Sequence, residues 1–270
     1  MAIALVSEIG SISFNTATTH AFTVPVGGVA AGNVVILRLC TNSETITISS
    51  VTDTQGNTYT VNVSHASPGD NTAGFIVSGQ ITTPLVNGNT ITVTPSATVA
   101  LGGEATEWSE LATSAVFDKS AVASTGFGTS WSSGATAMTA QADELCIGVY
   151  VITNDVRSTP EGTWTEQSDK NYVAPGPGRS MVTQYKIVSA TGTYAAQGTL
   201  ASNSDGAALI ATYKAAAAGG PAPAVNDAAT VTEDVTMTMH LRNLTVNETA
   251  SVAENITMHM PIHLRMEKLS

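Results

Sequence analysis

The feature that most constrains the fold is a run of short strand-forming segments, each closed by residues that accept left-handed backbone. Val34–Cys40 (VVILRLC) reads as a continuous apolar run, the pattern of a strand buried on both faces. Thr45–Val51 (TITISSV), Thr58–Val63 (TYTVNV) and Thr90–Thr94 (TITVT) alternate, and Phe75–Val77 begins a further strand. Between them stand Gln55-Gly56-Asn57, Pro68-Gly69-Asp70-Asn71 and Asn87-Gly88-Asn89. Gly and Asn supply the positive φ that tight hairpins need. Many short strands with such turns predict an all-β sandwich or barrel. Composition agrees: 43% of the residues are hydrophobic and only 11% charged, too few charges for solvated helices.

At 270 residues the chain has room for one large sandwich or two small domains, and for a core without disulfide or metal staples. Ala31–Ile36 has a counterpart in Ala142–Ile147, Gly56–Thr60 in Glu161–Thr165, and Glu104–Trp108 more loosely in Ala208–Tyr213. The order agrees, so the sandwich region, 1–214, reads as two pseudo-repeated halves, about 1–115 and 116–214. Similar strand-turn grammar is the competing explanation. Residues 215–225, beginning AAAAGGPAPA, read as a linker, because Pro blocks pairing and no side chain there builds a core. A helical start through Lys214–Ala218 is the alternative.

Residues 226–270 form a repetitive tail. Asn226–Met239 (NDAATVTEDVTMTM) and Asn247–Met260 (NETASVAENITMHM) align with a shift of 21 residues. One face of the first copy carries Val231, Val235, Met237, Met239 and Leu241; in the second, Val252, Ile256, Met258, Met260 and Ile262 do the same. Two such strands make at most a hairpin, which is marginal in water and exposes apolar surface and open edges. These ten residues are therefore the candidate oligomerisation or anchoring set, packing on other chains or back on the sandwich.

Little points to chemistry. The formal charge of −11 disfavours nucleic acid and anionic membrane surfaces. The N-terminal MAIALVSEIGSISF lacks a basic region and a long apolar core, so a secretory signal is not expected. No stretch reaches the roughly 18 apolar residues of a membrane span. His20, His65, His240, His259 and His263 accompany no recognisable nucleophile, and no P-loop, G-x-S-x-G, H-E-x-x-H or C-x-x-C occurs. No catalytic residue, metal or cofactor is expected. Cys40 and Cys146 sit in apolar runs and read as buried thiols, with one disulfide as the alternative. Asp53, Asp70, Asp155 and Asp205 lie near turns, where Asx geometry competes with a calcium site. Trp108, Trp131, Trp164, Tyr59 and Tyr172 form either core or a sugar-binding platform.

Several segments together carry a resemblance. They are Ala31-Gly32-Asn33-Val34-Val35, then Ser50–Thr60 (SVTDTQGNTYT), Gly88–Thr94, Glu107-Trp108-Ser109-Glu110-Leu111 followed by Asp118, Ala142–Leu145, and Ala208–Lys214. In this order they resemble a diffuse group of β-sandwich proteins from bacteriophages and bacterial surfaces, which usually has Gly where Glu110 stands. The resemblance covers about residues 1–215 and brings no catalytic residues. It implies a jelly-roll-like sandwich in a phage particle: capsid decoration, head fibre or tail component. The partners then expected are further copies of the chain, in a trimer or another symmetric homo-oligomer, and other virion proteins assembled in the host cytoplasm. The alternatives are a carbohydrate-binding or adhesive module meeting host-surface glycans, an extracellular filament subunit, and, last, a polysaccharide hydrolase.

Overall fold

The structure, a computed structural model, describes residues 2–152, 158–172 and 179–217, with backbone alone for 168–172. The chain divides into two units, 1–223 and 224–270, and the second lies outside the described residues. Among the described residues all regular structure is β. The first half holds β1 (Ala4–Ala17), β2 (His20–Thr23), β3 (Val34–Thr41), β4 (Ile48–Asp53), β5 (Thr58–Ser67), β6 (Thr72–Gln80), β7 (Thr90–Pro95) and β8 (Val99–Ser109). The second holds β9 (Phe117–Ser132), β10 (Asp143–Ile152), β11 (Ser158–Pro160), β12 (Thr165–Tyr172), β13 (Arg179–Ser189) and β14 (Gln197–Lys214).

In the first half β1-β8-β3-β6-β5 form one antiparallel sheet, and β2-β7-β4 form a smaller one over its outer face. The chain crosses between the two sheets as in a jelly roll, except that β5 stays beside β6 through their hairpin. The second half lays β9-β14-β10-β13-β12 in the same order, with β11 added along β14. The matching sequence segments fall on equivalent strands: 31–36 enters β3 and 142–147 enters β10, while 104–108 lies in β8 and 208–213 in β14.

In place of β2 and β7 the second half has an unusual ladder. The N–H groups of Ser133, Thr136 and Thr139 donate to the carbonyls of Ala196, Tyr194 and Gly192 at 2.8–2.9 Å. Their own hydroxyls accept the N–H of the same three residues at 2.9–3.2 Å. Steps of three on one strand thus meet steps of two on the other, and the hydroxyl stands in for a backbone carbonyl.

The five-stranded sheet of the first half and the six-stranded sheet of the second stack face to face, which explains their apolar strands. On β3, Val34, Ile36 and Cys40 join Leu145, Ile147, Val149, Val151 and Leu209 in the shared core. Val35, Leu37 and Leu39 turn the other way, to Phe22, Ile91 and Val93 under the small sheet. On β10 the alternate residues Cys146, Tyr150 and Ile152 pack with Trp131 and Val182 beneath the hydroxyl ladder. Every residue of β3 is buried, as the apolar run implies.

Several details differ from the sequence expectation. The strand expected at Thr45–Val51 begins at Ile48, opposite Pro95 at the end of β7; beyond it the Ser96 N–H still donates to the Thr47 carbonyl at 2.8 Å, while the Thr47 N–H turns to the Ser96 hydroxyl. The helical alternative at Lys214 is overridden by pairing. Lys214 donates to Val116, Ala215 bridges to Leu111, and the Ala216 N–H donates to the Glu110 carbonyl at 2.8 Å. The predicted turns do carry positive φ, at Gly56 (78°), Gly69 (84°), Asn71 (52°) and Gly88 (84°).

Two substitutions probe this packing. A Cβ on Gly74 of β6 would stand 2.7 Å from Leu209 Cδ1 and 2.9 Å from Val151 Cγ2, across the inter-sheet core. Gly74→Ala should therefore cost on the order of 1–3 kcal/mol in chemical denaturation. Gly126→Ala, where a Cβ meets open space, should change stability by no more than about 0.5 kcal/mol. Glu110 has φ 60°, a region that penalises an L side chain. Glu110→Gly should raise stability by about 0.5–1 kcal/mol, read as a higher denaturation midpoint at unchanged m-value.

Candidate functional site

The polar residues of the resembling motifs are spent on the fold. Asp53 Oδ1 accepts the N–H of Gln55 (2.8 Å) and of Asn57 (3.1 Å), and Oδ2 accepts the Asn57 amide (2.8 Å) and the Tyr59 hydroxyl (2.9 Å). Burial alone would raise this carboxyl, but the four donors hold it below the usual range. Asn57 Oδ1 in turn accepts the N–H groups of Thr82 and Thr83, both at 2.9 Å, tying the β4–β5 turn to the segment after β6. Glu107 is 2% exposed. Its carboxylate accepts Ala30 N–H (2.9 Å), the Asn33 amide (2.6 Å) and the Ser7 hydroxyl (2.9 Å). Trp108 is fully buried and meets Tyr185 edge to face at 5.1 Å.

Charge is also buried between the stacked sheets. Arg38, the one charged residue of β3, lies 3.6 Å from Glu104 and donates to Gln167. The Thr183 hydroxyl of β13 donates to Glu104 at 2.9 Å. A cavity of about 10 Å³ beside them, lined also by Glu8, Gly10 and Thr106, has room for about one water and not for a substrate. A second ionisable pair, Glu144 of β10 and Asp118 of β9, sits in the second half. Glu144 is fully buried, with Asp118 and Thr212 beside it and no hydrogen bond of good geometry to either carboxylate oxygen. Burial first, then Asp118 against the opposing Thr212 hydroxyl, push Glu144 up to about 7. Burial would also raise Asp118, but the Ala140 N–H and Lys119, both in direct contact, keep it low.

The other residues singled out in the sequence are scattered. Cys40 and Cys146 are free, buried and in different core clusters, and burial pushes both thiols up to about 12. His20 is a core residue beside Asn15, and His65 meets the Ser124 hydroxyl at 3.0 Å. Asp70 accepts the Ser67 hydroxyl, and burial and then Asp205 hold it above the carboxylate range. Asp155 lies outside the described residues, as do the tail histidines and all ten tail candidates, Val231 to Ile262. Among the described residues no three His, Cys, Asp or Glu side chains gather as metal ligands. Of the aromatics named for a sugar platform, the Tyr172 side chain lies outside the described ones, and the other four do not come together. Trp131 stacks on Tyr150 at 4.8 Å in the core, Trp164 Nε1 donates to the Ala195 carbonyl, and Trp108 and Tyr59 pack in separate clusters.

The sequence did not indicate a groove of about 410 Å³ where the inter-sheet face of β5 and β6 is left uncovered. The register pairs Thr58 with Gln80 and Thr60 with Ser78, and these four line it together with Asn62. Ala115, Val116 and Phe117, the connection into β9, form the opposite wall. Asn62 Oδ1 accepts the Tyr213 hydroxyl at 3.0 Å, which orients the amide. A different groove, of about 450 Å³, is lined by loop residues 27–31 and 84–87.

Searches against protein-family models, curated proteins and solved structures find no match to this chain.

The Glu144–Asp118 pair gives a pH-dependent prediction. Glu144 is raised from 4.5 to about 7 on folding, so its favourable contribution is complete below about pH 4.5 and is lost as pH rises through 7. Glu144→Gln removes that loss. At pH 8 the variant should be more stable than the parent by on the order of 1–3 kcal/mol, with the difference vanishing near pH 4.5, in denaturant titrations across that range.

Proposed function

We propose that the chain is a bacteriophage virion structural protein, a capsid decoration, head fibre or tail component, working by protein–protein assembly. One observation carries this reading: among the described residues, Ile3 to Ala215 supply three core clusters of a sandwich, and a two-copy strand repeat follows them in the sequence. The repeat gives the tail two alternating apolar faces, Val231 to Leu241 and Val252 to Ile262. They suit contact with other copies of the chain, in a symmetric homo-oligomer such as a trimer, or with neighbouring virion proteins. The polar motif residues agree, because they clamp turns and leave no assembled set of reacting groups. A rigid displayed sandwich with a separate assembly segment is the division of labour that follows.

Deletion of residues 225–270 tests the reading. The shortened protein should keep its far-UV β signature and its thermal midpoint within about 3 °C, while sedimentation shows it reduced to monomer where the full chain assembles. A truncated protein that assembles as the full chain does would sink the proposal. In the full chain, Met237, Met239, Met258 and Met260 changed together to Ser should weaken assembly in the same direction.

A further inference from the structure

From the geometry of the β5–β6 groove we infer a binding site for a neutral carbohydrate, independent of the assembly role. The lining is the first reason. Thr58, Thr60 and Ser78 offer hydroxyls, and Asn62 and Gln80 offer amides; each donates and accepts alike. Sugar hydroxyls need that double capacity. Among the described residues, Asn62 Oδ1 is the only one of these side-chain polar atoms that a protein hydrogen bond engages. The Tyr213 hydroxyl holds that oxygen, so the Asn62 amide nitrogen keeps both its protons for a ligand, in a fixed direction.

The second reason is what the groove lacks. No ionisable side chain lines it, so no charge there pairs with a phosphate, a sulfate, a carboxylate or a metal ion, and a neutral ligand is favoured. The chain's charge of −11 further disfavours anionic glycans. The opposite wall supplies the complement: Ala115, Val116 and Phe117 give an apolar surface against which the C–H face of a pyranose ring can lie. Phe117 is itself braced edge to face by Tyr213 at 6.2 Å, so one tyrosine steadies both the apolar wall and the Asn62 amide.

Size is the third reason. About 410 Å³ falls in the range of small-ligand pockets, enough for one or two sugar units. The polar floor is rigid because its residues sit on paired strands rather than loops, with Thr58 opposite Gln80 and Thr60 opposite Ser78. A peptide strand would be the other occupant, but it would pair along the outer edge of β5, which ends its sheet, whereas the groove floor presents side chains.

The test uses the full chain on an array of glucose-, galactose- and mannose-based neutral oligosaccharides. Sialylated and sulfated counterparts and an extended Ser/Thr-rich peptide are included, and hits are followed by calorimetric titration. Binding to one or more neutral sugars is expected, weakened at least tenfold by Thr60→Val and by Gln80→Leu. Among the described residues these two side chains make no protein hydrogen bond, so both variants should keep the parent thermal midpoint. Phe117→Ala should weaken the same sugars. No neutral sugar bound at millimolar concentration, binding that survives Thr60→Val and Gln80→Leu, or preference for the anionic glycans or the peptide would each overturn the inference.

Discussion

The stacking of a five-stranded and a six-stranded sheet on one shared face is the constraint from which the rest of the sandwich follows. Each sheet also carries cover on its outer side, so β3, β10 and β14 are apolar on both faces, and alternate residues serve different cores. Such a stack tolerates few polar atoms. Those inside it must find partners, and Arg38 and Glu104 meet that requirement across the halves through Gln167 and Thr183. It also demands close approach, which is why β6 has glycine at 74, where any side chain would run into Leu209 and Val151.

Much of this was legible in the chain because side-chain alternation is local. The run Val34–Cys40 announces a doubly buried strand whatever its neighbours are, and Gly56, Gly69 and Gly88 announce turns because only a few residue types accept positive φ. Long-range consequences were not legible. Glu107 binds Ala30 and Asn33 from 77 and 74 residues away, and nothing local distinguishes it from an exposed acid. Glu144 and Asp118 meet only because β9 and β10 both flank β14. The ladder at Ser133, Thr136 and Thr139 has no period of two, so it carries no strand signal, yet its three residues are buried. The groove draws on three separated segments, and its floor is made of Thr, Ser, Asn and Gln, residues that on an alternating strand read as an ordinary solvated face.

The residues that carry the sequence resemblance are also the ones that lock the turns. Asp53 with Asn57 and Tyr59, and Glu107 with Asn33, convert specific loop geometry into many hydrogen bonds per side chain. Buried carboxylates with several donors are costly to replace, since removing one strands every donor it served. A motif of this kind builds a scaffold. It says little about what the scaffold does, and any activity must then reside where side chains are left uncommitted. The β5–β6 groove is one such place.

The edges of the sandwich bear on how copies of the chain meet. β1 and β9 are long edge strands, of 14 and 16 residues, and a flat edge of that length would pair with another molecule. Neither is flat. The pairing of β1 with β8 shifts register at three places, and that of β9 with β14 also at three. All three shifts along β1 and two of those along β9 put the extra residue in the edge strand itself, breaking the regular spacing of outward N–H and C=O groups that a docking strand would need. Sheet-edge association is thereby discouraged at β1 and β9. In the proposed reading, ordered assembly rests on the repeat-bearing tail, residues 226–270.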